Sequence, residues 1–104
     1  MGGNTSTCRT LFIRKLMKLF KVEGQSMTPS IEDGQYVIVR KKKRYKYNDI
    51  IVFTFDHRYY VKRVQSVYQD GYFVLGDCFS SSVDSRTMGL INSKDIIGSV
   101  LVVI

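Results

Sequence analysis

Asp49-Ile50-Ile51-Val52-Phe53-Thr54-Phe55-Asp56-His57-Arg58-Tyr59-Tyr60-Val61-Lys62-Arg63-Val64-Gln65-Ser66-Val67 reads as two strands joined by a turn. Both arms, Asp49–Phe55 and Tyr59–Val67, are rich in β-branched and aromatic residues, which suit a pleated, half-buried surface. The polar Asp56-His57-Arg58 between them is the turn signal. The same pattern continues outward. Tyr36–Arg40 (YVIVR), Gly71–Leu75 (GYFVL) and Ile96–Val103 (IIGSVLVV) read as further strands. Glu32-Asp33-Gly34, Tyr47-Asn48-Asp49 and Gln69-Asp70-Gly71 mark turns between strands. Several short strands at close spacing predict a mainly β domain, a small barrel or sandwich.

The N-terminus departs from this pattern. Over residues 9–21 (RTLFIRKLMKLFK), Phe12, Ile13, Leu16, Met17, Leu19 and Phe20 fall in one helical arc. Arg14, Lys15, Lys18 and Lys21 fall opposite. That spacing predicts a short amphipathic helix, packed on the domain or lying on an anionic membrane surface. Basic residues interrupt the apolar stretch, which argues against a secretory signal peptide. Residues 1–8 are small and polar and read as a frayed tail. Their Met-Gly start with Ser6 matches a myristoylation pattern only loosely. The expected organisation is a tail and helix over 1–21 and one domain over 22–104.

The chain has 104 residues, 44% apolar and 24% charged, which is one ordinary globular domain. No apolar run approaches about 20 residues, so no membrane-spanning helix is expected. Two cysteines, Cys8 and Cys78, make no disulfide framework and no CxxC pair, and read as reduced thiols. A single histidine, His57, excludes a His-rich metal site. No metal and no cofactor are expected. A net charge of +7 favours anionic partners without choosing among them. The basic run Arg40–Arg44, with Lys46 close by, reads as a solvated loop or as a contact for membrane or acidic partners.

Three clusters could carry chemistry. Ser26 lies in Val22-Glu23-Gly24-Gln25-Ser26-Met27-Thr28-Pro29-Ser30-Ile31, where glycine and proline imply a tight loop. Taken alone, it reads as an ordinary turn serine. A nucleophilic serine needs a base, and His57 reads instead as a solvated turn histidine. Lys62 is the alternative. Strand alternation sends Lys62 and Arg63 to opposite faces and puts Lys62 with Tyr60 and Val64. If that face covers the core, desolvation lowers the amine's pKa. Lowering it from about 10.4 to near 7 disfavours the charged form by about 4–5 kcal/mol. A neutral amine could then accept a serine proton. The third cluster, Gly76–Gly89 (GDCFSSSVDSRTMG), is a polar loop that pairs Asp84 with Arg86.

Order and spacing join the clusters. Gly-x-Ser-Met-x-Pro, a Gly-x-x-Val-x-Val strand, Tyr-Val-Lys-Arg-Val and Gly-Asp-x-x-x-Ser-x-Asp-Ser-Arg-x-x-Gly follow one another across residues 22–104. This set resembles the signal peptidase I family of Ser/Lys proteases. The resemblance implies Ser26 as nucleophile and Lys62 as general base. It implies that the Ser26 backbone N–H points into the oxyanion hole and that the Ser82 hydroxyl orients the lysine. Gly24, Met27, Asp77, Asp84 and Arg86 take wall and structural positions. It further implies a signal-peptidase-like β core and a precursor protein bound as an extended strand.

Four features depart from the family pattern. Gly24 stands where some members hold a serine that donates to the oxyanion. Cys78 replaces an asparagine after Gly76-Asp77. Only 13 residues separate Lys62 from Gly76, which leaves a minimal core. The segment at 9–21 stands in place of a membrane anchor. The expected location is therefore the cytoplasm, with peripheral contact to the inner membrane face through residues 9–21. Among short, anchorless relatives the chain looks most like the maturation proteases of nickel-containing superoxide dismutase, which remove a short N-terminal extension. The alternatives are a processing peptidase for another precursor and a basic β-barrel that binds nucleic acid. No RNA-binding motif supports the last, and no nucleic acid is expected.

Overall fold

The computed structural model describes residues 7–13, 17–78 and 83–104. Its strands are β1 (Thr7–Ile13), β2 (Met17–Glu23), β3 (Tyr36–Arg40), β4 (Ile50–Phe55), β5 (Arg58–Tyr68), β6 (Gly71–Leu75) and β7 (Ile96–Val103). One helical turn, α1 (Ser85–Met88), follows β6, and a 3-10 turn at Ser93–Asp95 precedes β7. All strand pairs are antiparallel, in the order β1-β2-β3-β7-β4-β5-β6. One more pair, Thr7 with Tyr60, joins β1 to β5. The sheet therefore closes on itself from β1 round to β5, and β6 extends it from the second half of β5. Register shifts at Thr10/Phe12, Ile38/Val39, Val52/Phe53 and Val64/Ser66 supply the bending that so small a closure needs.

Alternation along the strands separates two cores. Phe20 and Val22 of β2, Val37 and Val39 of β3, Val52 of β4 and Val61 of β5 share one buried cluster. Strands this far apart in the order can share a cluster only across a closed interior. Ile51 and Phe53 of β4, Tyr60 and Val64 of β5 and Tyr72 and Val74 of β6 form the second cluster on the other face. Tyr45, Ile91 and Ile96 complete that second cluster. Gly98 lets β7 approach β3, because a Cβ there would lie 2.6 Å from the Arg40 carbonyl.

The mainly β expectation holds, with β3, β6 and β7 at the expected bounds. The N-terminal helix does not. Its described residues lie in β1 and β2, which pair with each other, and β2 also pairs with β3. Phe20 and Val22 are buried while Lys21 and Glu23 between and after them are not, which is period two rather than 3.6. Thirteen residues with paired apolar positions satisfy both periods, and pairing with β3 selects the strand. A membrane-lying helix over 9–21 therefore has no counterpart here. No helix among the described residues is long and apolar enough to cross a membrane. Of the frayed tail expected at 1–8, Thr7 and Cys8 lie instead in β1, and residues 1–6 lie outside the described residues.

Candidate active site

β2 runs directly into the β2–β3 connection, residues 24–35, which carries Ser26. The Val22 N–H donates to Gln35 O and the Gly34 N–H to Val22 O, both at 2.8 Å, and fasten its neck. Within the loop the Thr28 N–H donates to Gln25 O and the Ile31 N–H to Met27 O. Met27 and Ile31 are buried in the barrel core and anchor the loop from below. Gly24 has φ 95°, a left-handed conformation that strains a serine side chain. This accounts for glycine at that position. Its N–H is engaged by Asp33 Oδ1 at 2.9 Å.

On β5, Tyr60, Lys62 and Val64 are all buried, as alternation requires. Lys62 is 0% exposed, as is Ser26. The Lys62 Nζ donates to Ser26 Oγ at 2.7 Å. Burial lowers the amine's pKa from 10.5 to about 8. The Asp84 charge pulls it back up and the Arg86 charge pushes it further down. Roughly one Lys62 in ten is then neutral at pH 7.

Arg63 points to the other face and binds three separate loops. Its Nε and Nη2 donate to Asp77 Oδ1 and Oδ2 at 2.9 and 2.8 Å, a bidentate pair. Nη2 also donates to Ser30 Oγ at 3.1 Å, in the serine loop. Nη1 donates to Asn48 O and Oδ1 at 3.3 Å. Burial pushes the Asp77 carboxyl up, but the Arg63 and Ser30 hydrogen bonds hold it below its ordinary value. Next to it, the Cys78 N–H donates to Ser26 O at 2.8 Å. Serine loop and Asp77 loop are thus tied twice. The sequence reading used Arg63 only as the neighbour of Lys62. Its alternation phase was the available signal, but its three partners are not local.

Asp84 is 0% exposed and caps α1. Its Oδ1 accepts from the Arg86 N–H and Nε, and its Oδ2 from Arg86 Nη2 and the Gly76 N–H. Burial raises the Asp84 pKa, and these hydrogen bonds outweigh it and bring it below the ordinary value. Asp84 thereby holds Gly76 at the end of β6 and Arg86 in α1. Ser85, which the sequence motif contained without a role of its own, accepts from the Val74 N–H at 2.8 Å and is buried. Ser82 lies outside the described residues. His57 is exposed at the β4–β5 turn, where Asp56 and His57 have φ 51° and 65°. Among the described residues no group of three His, Cys, Asp or Glu side chains is placed to hold a metal ion.

A hydroxyl and a desolvated amine in hydrogen-bond contact can exchange a proton near neutral pH. Arg63 ties the loop that carries Ser26 to Asp77, beside the Cys78 N–H that donates to Ser26 O. Against this geometry, the model of the peptidase S24-like family matches residues 5–101. The match covers almost the whole chain, so the chain belongs to that family, and a signal-peptidase-like β peptidase is the reading it supports. No curated protein matches the chain.

Proposed function

With that membership as premise, we propose that the chain is a serine endopeptidase with Ser26 as nucleophile and Lys62 as general base. The carrying observation is the 2.7 Å contact between Ser26 Oγ and the buried Lys62 Nζ. Neutral Lys62 takes the Oγ proton as Oγ attacks the scissile carbonyl. The Ser26 backbone N–H stabilises the oxyanion of the tetrahedral intermediate. The C–N bond then breaks, and the Lys62 ammonium gives its proton to the leaving amine. The Ser26 acyl ester remains. Lys62, neutral again, takes a proton from water as that water attacks the ester, and Ser26 is restored with the acid product released.

The substrate is a precursor protein with a short N-terminal extension, and the nickel superoxide dismutase precursor is the first choice. Support for that choice is the resemblance to small maturation proteases and the short stretch of 13 residues between Lys62 and Gly76. The test is intact mass spectrometry of that precursor after incubation with the wild-type chain and with Ser26→Ala. A defined N-terminal loss with wild type alone supports enzyme, nucleophile and substrate together. Loss with Ser26→Ala refutes the nucleophile. No loss with either refutes this precursor as the substrate.

A further inference from the structure

Six of the chain's sixteen cations fall within residues 40–46: Arg40, Lys41, Lys42, Lys43, Arg44 and Lys46. Disordered basic runs are common, but this one has a built foundation. Tyr45 at its centre is 5% exposed and belongs to the second core cluster. Its hydroxyl accepts from the Lys42 N–H at 3.0 Å, and its own N–H donates to the Tyr72 hydroxyl at 3.2 Å. The two rings meet edge to face at 5.9 Å. Lys41 Nζ donates to Ile96 O at 3.3 Å. The loop is therefore pinned at Lys41, Lys42 and Tyr45.

The loop's charge is only partly answered. Asp49 pairs with Lys42 at 3.0 Å and reaches Lys46 at 4.0 Å. Among the described residues no carboxylate pairs with Arg40, Lys41, Lys43 or Arg44. Arg40, Lys43 and Arg44 are exposed. Cations held close together by a rigid loop repel one another, and an anion placed across them relieves that repulsion.

The loop is also wired to the site. Asn48 at its far end accepts from Arg63, and the same guanidinium donates to Ser30 in the loop that carries Ser26. The path from Ser26 to the basic loop runs through one arginine.

We propose that residues 40–46 are a docking site for an acidic segment of the peptidase's substrate, to one side of the cleaved bond. The inference rests on the peptidase reading for its site, and deepens it by a substrate class. An acidic peptide is favoured over a membrane because the cations cluster at the end of the path from Ser26. The exposed cations act by steering and by rim contact, which sets encounter and salt dependence.

The test reads binding to the Ser26→Ala chain, so it does not depend on cleavage. The probes are fluorescein-labelled extended peptides with a block of four aspartates, and the same peptides with four asparagines. Fluorescence anisotropy is measured at two salt concentrations. Arg40→Gln/Lys43→Gln/Arg44→Gln is compared with Lys21→Gln/Arg58→Gln/Lys94→Gln, which removes the same charge elsewhere. The expected result is aspartate-dependent, salt-sensitive binding that falls about tenfold in the loop variant and less than about threefold in the control. Of a series of peptides with a benzophenone at successive positions away from the aspartates, at least one should crosslink within residues 25–31. Equal losses in both variants overturn the proposal, since net charge alone would then explain binding. So does crosslinking elsewhere. Absence of aspartate-dependent binding overturns it too, as does a loop variant that loses only flotation with phosphatidylserine vesicles. The mass-spectrometric test of Ser26 stands apart from every one of these outcomes.

Discussion

Lys62 and the cations of residues 40–46 are the same kind of group in opposite surroundings. Lys62 is enclosed by the barrel wall and the serine loop, and burial lowers its pKa to about 8. Arg40, Lys43 and Arg44 stand exposed to water. One environment lowers an amine's hold on its proton and the other turns cations toward solvent. The protein separates the two roles by strand phase at Lys62 and Arg63, and by a pinned loop at Tyr45.

Reversing the environment at Lys62 should give the largest effect. Lys62→Met fills the same buried space with an apolar chain, and should abolish peptide cleavage by about 10³-fold or more if Lys62 is the base. It should also raise stability at pH 7, because a buried charge is removed. Below pH 8 folded and unfolded chains both hold the Lys62 proton, and the penalty of burying it is fully present. Between about 8 and 10.5 the folded chain releases that proton first, so stability rises with pH, by about 3 kcal/mol in all. The gap in Tm between Lys62→Met and wild type should therefore close from pH 7 to pH 10. A gap that stays constant would place the amine in water.

The same titration shapes the rate. Cleavage should rise about tenfold from pH 6 to pH 7 and level off above pH 9, with its midpoint near 8. Steady-state rates on a single peptide across that range check it, and a flat profile excludes a lysine base.

Arg63 sharpens the contrast from the other face. Arg63→Lys keeps the charge but loses the fork that grips Asp77, Ser30 and Asn48. It should cost about 2 kcal/mol in urea unfolding and lower kcat more than KM, because the serine loop loses its tether. If KM alone changes, the tether does not position Ser26.

The smallest effect is expected at the β4–β5 turn. His57 sits at φ 65°, and His57→Gly should stabilise by roughly 0.5–1 kcal/mol in the same unfolding assay with cleavage unchanged. Lost cleavage would bring His57 into the chemistry.

Most of the barrel was legible because β-branched pairs mark strands whatever they pair with. Tyr36–Arg40, Gly71–Leu75 and Ile96–Val103 needed no tertiary information. Residues 9–21 did. Leu19 and Phe20 fit a helical arc as well as a strand, and the choice rests on β3, which lies beyond the serine loop. At the site, alternation put Lys62 with Tyr60 and Val64, a face that the structure buries, and motif order drew attention to Ser26. The grip of Arg63 was not legible, since Ser30, Asn48 and Asp77 come from three separate loops.

The seam between β1 and β5 has one more consequence. Among the described residues, β5 meets β1 at Tyr60 and β6 from Arg63 onward, so Lys62 lies where β5 passes from one neighbouring strand to the next. Whatever loosens that junction admits water to the amine and raises its proton affinity toward the ordinary value.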